Sequence, residues 1–471
     1  MTSSTPQPLG NRRDQYGQLF MHEGRLLRGI RAKHTEFYGE LLSHPAIHEA
    51  IANGLLIGAE KVDATLDHYP LVIEHPRIPF VTYPFEWTPS MFKAAALCLL
   101  RLNQHLMRHG LCLNDAHPWN ILFKGPRPIF VDFTSIVALS GGRWEAAAEF
   151  EIWCIRPLEL MAKGYADLSR SLLSHTLNFP SENFPAAMLR SPAKRGPLGK
   201  LTAPLELLAE KIRRHVRHRL ACGDTSLGAE GIARLISRVE KLDVIPPVDS
   251  WTDYYSTRTD SNTYTGQREE FDTIRKASAK TRAVEEILTR IQPRTLLDIG
   301  CNRGIYSQLA AMKGASVIGI DQEDAVLDLM FHDSERLGTE VTPLYVDVLA
   351  PIEAVGYKEM PPPRAGERLR ADCVLALAVI HHLVFTQEQQ SFAHVVRALA
   401  NYTNRYLILE FIPPTDEVYQ RLLHKRSAEY RSRFDWYGYA PLCAELALHF
   451  ARVEDHPSFP EGRVLLLCEK A

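Results

Sequence analysis

The rhythm of hydrophobic and polar positions changes near residue 281. From Thr281 to the C-terminus, short continuous apolar runs alternate with stretches of helical spacing. The runs are Thr295–Asp298, Ser316–Asp321, Thr342–Asp347, Cys373–Leu377 and Tyr406–Glu410. Strands buried on both faces read as unbroken apolar runs, and strands separated by helices imply a doubly wound parallel sheet. Upstream the pattern is mixed. Gln18–Arg28 reads as a hairpin turning at Glu23-Gly24, Thr35–Leu56 has helical spacing with breaks, and Pro70–Glu74 and Ile78–Tyr83 read as short strands. Pro89–Arg108 predicts a helix, because Phe92, Ala96, Leu99, Leu100 and Leu106 recur on one face, with Ser90 as its cap. A loop over Gly110–Gly125 and a strand at Pro128–Asp132 follow. Helical segments are expected within Trp144–Ser174, Leu205–Ala221 and Gly231–Leu242, with an exposed Pro/Gly/basic loop at Arg190–Gly199.

These elements divide the chain into a disordered lead at 1–14, a first domain at 15–245 and a second at 246–471, with the boundary at Val244–Ser250. There is no internal repeat. Hydrophobic residues make up 45% and charged residues 23% of the 471, enough to bury ordinary globular cores. The net charge of -2 gives no general attraction to nucleic acid, and the basic run Lys211–Arg219 reads as the solvated face of a helix. None of the eight cysteines is spaced CxxC, so no zinc or redox motif is present, and their apolar surroundings suit a reducing, cytoplasmic setting. No signal peptide and no bilayer-length apolar run is evident.

The chemistry begins at Asp298-Ile-Gly-Cys-Asn-Arg-Gly304, which follows the first run and opens a helix over Ile305–Lys313. Its glycines permit a sharp turn and close backbone approach to a ligand. The spacing is DxGxxxG, not the GxGxxG that seats a dinucleotide diphosphate. Asp321 ends the next strand, where an acid can accept from both hydroxyls of a ribose. Asp347 ends the third. In open α/β sheets ligands bind beyond the carboxyl ends of the strands, which is where all three acids fall.

This set resembles the class I S-adenosylmethionine-dependent methyltransferases over about Ala283–Ala471. The resemblance implies an α/β, Rossmann-like, mostly parallel seven-stranded sheet and S-adenosylmethionine as cofactor. It places Asp298, Gly300, Cys301, Asn302 and Gly304 near the methionine end, Asp321 and Gln322 at the ribose, and Asp347 and Val348 at the adenine, with Ala378 beside the reacting methyl. The segment Ala376–Leu383 and the run Glu410-Phe-Ile-Pro413 are similar to those of bacterial methyltransferases linked to nodulation or surface-glycan genes. Pro414 and Thr415, which precede Asp416, depart from that pattern. A hydroxyl acceptor needs a base, which makes His381, His382 and Glu410 the catalytic candidates. Trp251, Tyr254 and Tyr255 are candidates for an aromatic lid. The acceptor implied is a small molecule or saccharide, methylated on oxygen.

A second constellation lies upstream. Asp115, Asn120 and Asp132 have the spacing of a kinase base, metal-binding asparagine and metal-binding aspartate. With His117-Pro118 between them, the segment resembles protein-kinase-like and aminoglycoside-phosphotransferase-like proteins over about Tyr16–Leu173, which would imply ATP and magnesium. The departures are specific: Leu113 and Asn114 replace the usual residues before the base, Thr134 replaces a glycine, and no glycine-rich phosphate loop exists. Arg28 stands in for the phosphate-binding lysine only by analogy. Three readings follow: a methyltransferase with a degenerate kinase-like domain that regulates or positions; a bifunctional kinase and methyltransferase acting on one acceptor such as a glycan end; or a non-catalytic nucleotide-binding scaffold.

Overall fold

The computed structural model describes residues 5–9, 14–174, 226–246, 252, 264–353, 363–386, 388–424 and 426–471. The expected helix Leu205–Ala221 with its basic run, the loop Arg190–Gly199, and Trp251, Tyr254 and Tyr255 lie outside these.

The N-terminal half begins with a five-stranded antiparallel sheet. Its strands are β1 (Gln7–Leu9), β2 (Gly17–His22), β3 (Arg25–Ile30), β4 (Glu60–Lys61) and β5 (Leu71–His75), in the order β1-β2-β3-β5-β4. The β2–β3 hairpin turns at Glu23 and Gly24, with φ of 50° and 77°, the pair of left-handed residues that matches strand twist in a two-residue turn. Gln7–Leu9 falls in the stretch expected to be a disordered lead. It pairs with β2, and the Gln18 side chain donates to the Leu9 carbonyl at 2.6 Å. Ile78–Tyr83 forms no strand, in contrast to its apolar pattern: Pro79 has no N–H for a ladder, and the segment runs as an irregular link with Phe80 buried.

The helix Pro89–Met107 forms the spine of this half. Its cap is Thr88 rather than Ser90. Pro89 forces the residue before it into an extended conformation, so Thr88 leaves the helix and its hydroxyl accepts from the Met91 N–H at 3.2 Å. Two short ribbons follow, β6 (Leu111–Leu113) with β9 (Ile136–Ala138), and β7 (Ile121–Lys124) with β8 (Arg127–Phe130). Helices Thr35–Leu42 and Pro45–Ala52 lie between β3 and β4, and among the described residues helices Arg156–Met161, Ala166–Ser174 and Ala229–Glu240 follow the ribbons.

The C-terminal half is a seven-stranded sheet. It comprises β10 (Thr295–Ile299), β11 (Ser316–Asp321), β12 (Val341–Tyr345), β13 (Ala371–Ala376), β14 (Thr403–Phe411), β15 (Arg452–Pro457) and β16 (Val464–Glu469), ordered β12-β11-β10-β13-β14-β16-β15. The first five are parallel, while β16 and β15 pair antiparallel at one edge. The chain moves outward from β10 to β11 and β12, then returns to β13 on the other side. In open α/β sheets the point of such a reversal, past the carboxyl ends of β10 and β13, is where ligand crevices form.

The two halves share one apolar core, which runs from Trp87 and Phe123 to Leu297 and Val374. Polar contacts fix the seam. Ser90 donates from its N–H at 3.1 Å and its hydroxyl at 2.6 Å to the two carboxylate oxygens of Asp328. The Thr342 hydroxyl donates to the Gly125 carbonyl at 2.9 Å. Gly125 has φ of +59°, and a Cβ there would meet the Glu340 Cα at 2.8 Å, so only glycine fits. The buried guanidinium of Arg368 reaches both oxygens of the buried Glu86 carboxylate and lies over the Tyr83 ring.

Candidate functional site

The crevice is built by the turn after β10. Gly300, Asn302 and Gly304 have φ of 68°, 50° and 78°, a run of left-handed residues that folds the backbone back on itself. Gly300 and Cys301 donate their N–H groups to the Ile320 carbonyl at 2.9 and 3.1 Å, which ties the turn to β11. A Cβ on Gly300 would lie 2.6 Å from Val379, and one on Gly304 would lie 2.7 Å from the Met330 sulfur. Neither position has room for a side chain. Cys301 is buried against Met330, and burial pushes its thiol far above the usual range.

Asp321 ends β11 beside this turn. Its carboxylate accepts from the Asn302 N–H at 2.8 Å and the Gln322 N–H at 2.7 Å. Burial raises its acid, and the backbone donors pull it partly back. Gln322 is exposed at the lip. Two residues past β12, Asp347 folds its own turn by accepting from the N–H groups of Leu349 and Ala350 at 2.9 and 3.1 Å. Val348 is buried and lines a surface cavity with Leu349, Arg364, Arg370 and Arg397. The structure thus brings Asp298, Cys301, Asn302 and Asp321 together and sets Asp347 one strand away.

Asp298 faces inward. Its carboxyl is buried, accepts from the Ser307 hydroxyl at 2.6 Å, and is raised to about 7, mainly by burial. It braces the start of the helix Ile305–Met312.

Across the crevice, Ala378 takes a left-handed turn after β13, with φ of 53°, and leads into the helix Ile380–Thr386. His381 is buried on that helix, and neither ring nitrogen has a hydrogen-bond partner among the described residues. Burial, followed by the neighbouring His382, holds its pKa well below the usual histidine value, so it is neutral. His382 packs on it with ring centroids 4.3 Å apart, and burial lowers its pKa too.

Glu410, the third candidate base, is fully buried and engaged. One carboxylate oxygen accepts from the Lys280 ammonium at 2.5 Å and the other from the Ser458 hydroxyl at 2.6 Å. Burial pulls the Lys280 ammonium down, but the Glu410 charge and hydrogen bond, together with Tyr306, hold the group above its ordinary value. Lys280 also lies 5.2 Å from the Tyr306 ring centre. Lys280, Tyr306 and Ser458 were not singled out from the sequence. The available signal was Ser278 capping the helix that carries Lys280, where the Ser278 hydroxyl accepts from the Thr281 N–H at 3.3 Å.

In the N-terminal half, Arg28 stands on β3, and its guanidinium reaches Asp132 at 3.3 Å, Asp14 at 3.2 Å and the Thr134 hydroxyl at 2.6 Å. Asp132 also accepts from the Thr134 hydroxyl at 2.8 Å. The Asp115 acid is raised, mainly by burial, and its ligand atoms lie within 4.8 Å of those of His117 and Glu149. Glu149 accepts from the Ala116 N–H at 2.7 Å, which anchors the loop. The amide nitrogen of Asn120 is buried without a partner among the described residues.

Comparison with known proteins finds no matching family model. The chain is 29% identical to nodulation protein NoeA of Rhizobium meliloti over 455 residues, 90% of each chain. It is 27% identical to ubiquinone biosynthesis O-methyltransferase of Nitrosomonas europaea over 154 residues, 28% of this chain and 63% of that one. Among solved structures, magnesium protoporphyrin IX methyltransferase from Synechocystis PCC 6803 matches 44% of the chain at 19% identity and a TM-score of 0.28, covering 84% of its own length. The bifunctional kinase-methyltransferase WbdD matches 43% at 16% identity and a TM-score of 0.27, with 39% of its own chain covered. At these scores the structural likeness defines no shared fold. By sequence, the chain is similar to nodulation protein NoeA over most of its length, and part of it is similar to an O-methyltransferase.

Proposed function

We propose that this chain is an S-adenosylmethionine-dependent methyltransferase that methylates a hydroxyl of a small-molecule or saccharide acceptor. The observation that carries it is the turn Gly300–Gly304 locked against Asp321 at the crevice where the strand order reverses. Similarity to an O-methyltransferase supports it. In this reading residues 246–471 form a Rossmann-like class I domain and 15–245 a kinase-like domain.

The residues present fit the cofactor. Gly300 and Gly304 let the turn take a left-handed backbone and close onto Val379 and Met330, and Asp321, held by the Asn302 and Gln322 N–H groups, offers a preorganised carboxylate to the ribose hydroxyls. Asp347 serves the adenine end, with Gln322 and Val348 at the margins. The bound sulfonium supplies an electrophilic methyl group. Holding the acceptor in line with it accounts for most of the rate such a site can provide. His381, neutral and with both ring nitrogens without partners among the described residues, takes the acceptor's proton at a ring nitrogen. Glu410, closed by Lys280 and Ser458, shapes the chamber rather than exchanging protons.

The kinase-like half is read as supporting rather than phosphorylating. Arg28 grips Asp132, the residue a kinase would give to magnesium, and the sequence carries no glycine-rich phosphate loop. The test is transfer of labelled methyl from S-adenosylmethionine to a panel of saccharides and hydroxylated metabolites. Wild type labels an acceptor, and His381→Asn lowers the rate about 100-fold or more with cofactor binding retained. Full activity in His381→Asn removes its role as base.

A further inference from the structure

We propose that Arg170 of the N-terminal half is a positioning residue for the cofactor site, a brace that holds the two acidic turns in register. This rests on the S-adenosylmethionine reading above. Arg170 lies on the helix Ala166–Ser174 and is almost wholly buried at the seam. One guanidinium nitrogen bonds the Asp324 carboxylate, and another is held by Asp167, a turn earlier on its own helix, at 3.1 Å. The guanidinium carbon lies over the Tyr345 ring, 3.8 Å from its centre.

Those two contacts straddle the cofactor acids. Asp324 opens the helix Asp324–Leu337, three residues after Asp321. Tyr345 ends β12, pairs in register with Asp321, and stands two residues before Asp347. The Val346 N–H donates to the Asp321 carbonyl at 3.0 Å, so the two turns are already joined by backbone. A single buried cation from the other half therefore touches both the helix that follows the ribose acid and the strand end that precedes the adenine acid. Arginine suits the task because its planar fork can hydrogen-bond a carboxylate while its face stacks on a ring; lysine can do only part of this.

Calorimetric titration of the full chain with S-adenosylmethionine tests the brace, together with the thermal midpoint of each variant. Arg170→Lys and Asp324→Asn each raise Kd about tenfold, and Arg170→Met raises it further. Arg368→Lys weakens another buried ion pair across the seam, one that touches neither turn. It lowers the midpoint while leaving Kd within about twofold, and this separates positioning from general loosening. If Arg170→Met does not fold, the two conservative variants decide. Folded Arg170→Lys and Asp324→Asn chains that bind as tightly as wild type overturn the brace and leave the functional reading intact. A wild type that binds no S-adenosylmethionine overturns both.

Discussion

Asp298 shows how one side chain can serve a site without facing it. Its carboxyl is buried under Ser307 and raised to about 7, first by burial and then by the neighbouring Asp321 charge, with the Ser307 hydrogen bond opposing. In the unfolded chain an aspartate titrates near 3.9. Between about pH 4 and pH 7 the native state therefore holds the extra proton, so this group's contribution to stability falls as pH rises through that window and levels off above it. Asp298→Asn has no proton to lose. The stability of wild type relative to Asp298→Asn, from denaturant midpoints, should drop by on the order of 2 kcal/mol between pH 5 and pH 8. A difference that does not change with pH contradicts the burial assigned to this carboxyl.

At the scale of elements, the turn Gly300–Gly304 and the histidine segment form one unit. Gly300 packs its bare α-carbon against Val379, next to the left-handed Ala378 and two residues before His381. Gly300→Ala meets both a positive φ of 68° and a neighbour at 2.6 Å, so it should lose about 1–3 kcal/mol of stability and weaken cofactor binding. Gly314→Ala, at φ of +96° with nothing within 4 Å, should strain the backbone and leave binding unchanged. Equal binding by wild type and Gly300→Ala would show the turn to be slack.

The five parallel strands of the C-terminal half were legible because burial on both faces leaves unbroken apolar runs, and Asp298, Asp321 and Asp347 because each closes such a run; β15 and β16 were not read, β15 being a partly exposed edge strand without such a run. Ile78–Tyr83 misled because its apolar pattern says nothing of the missing proline N–H. Ser90 misled because its partner, Asp328, lies 238 residues away. The pairings of Lys280 with Glu410 and of Arg28 with Asp132 were invisible for the same reason: pairing across the fold leaves no local spacing.

As a whole molecule, the two large sheets are joined by a shared core and a polar seam, with Glu86, Asp324 and Asp328 all engaged across it. Breaking one member of such a buried pair leaves an uncompensated charge, so the seam resists opening. No helix among the described residues is long and apolar enough to cross a membrane. The N-terminal half, with Arg28 lodged on Asp132, packs through this seam against the sheet that carries Asp321. Calorimetric titration of wild type and Asp321→Ala with S-adenosylmethionine tests the proposed cofactor site most directly. The account predicts saturable binding by wild type and a loss of about 1–3 kcal/mol in Asp321→Ala, from ribose hydroxyls left without their acceptor. Wild type that shows no binding, or Asp321→Ala that binds equally well, would contradict it.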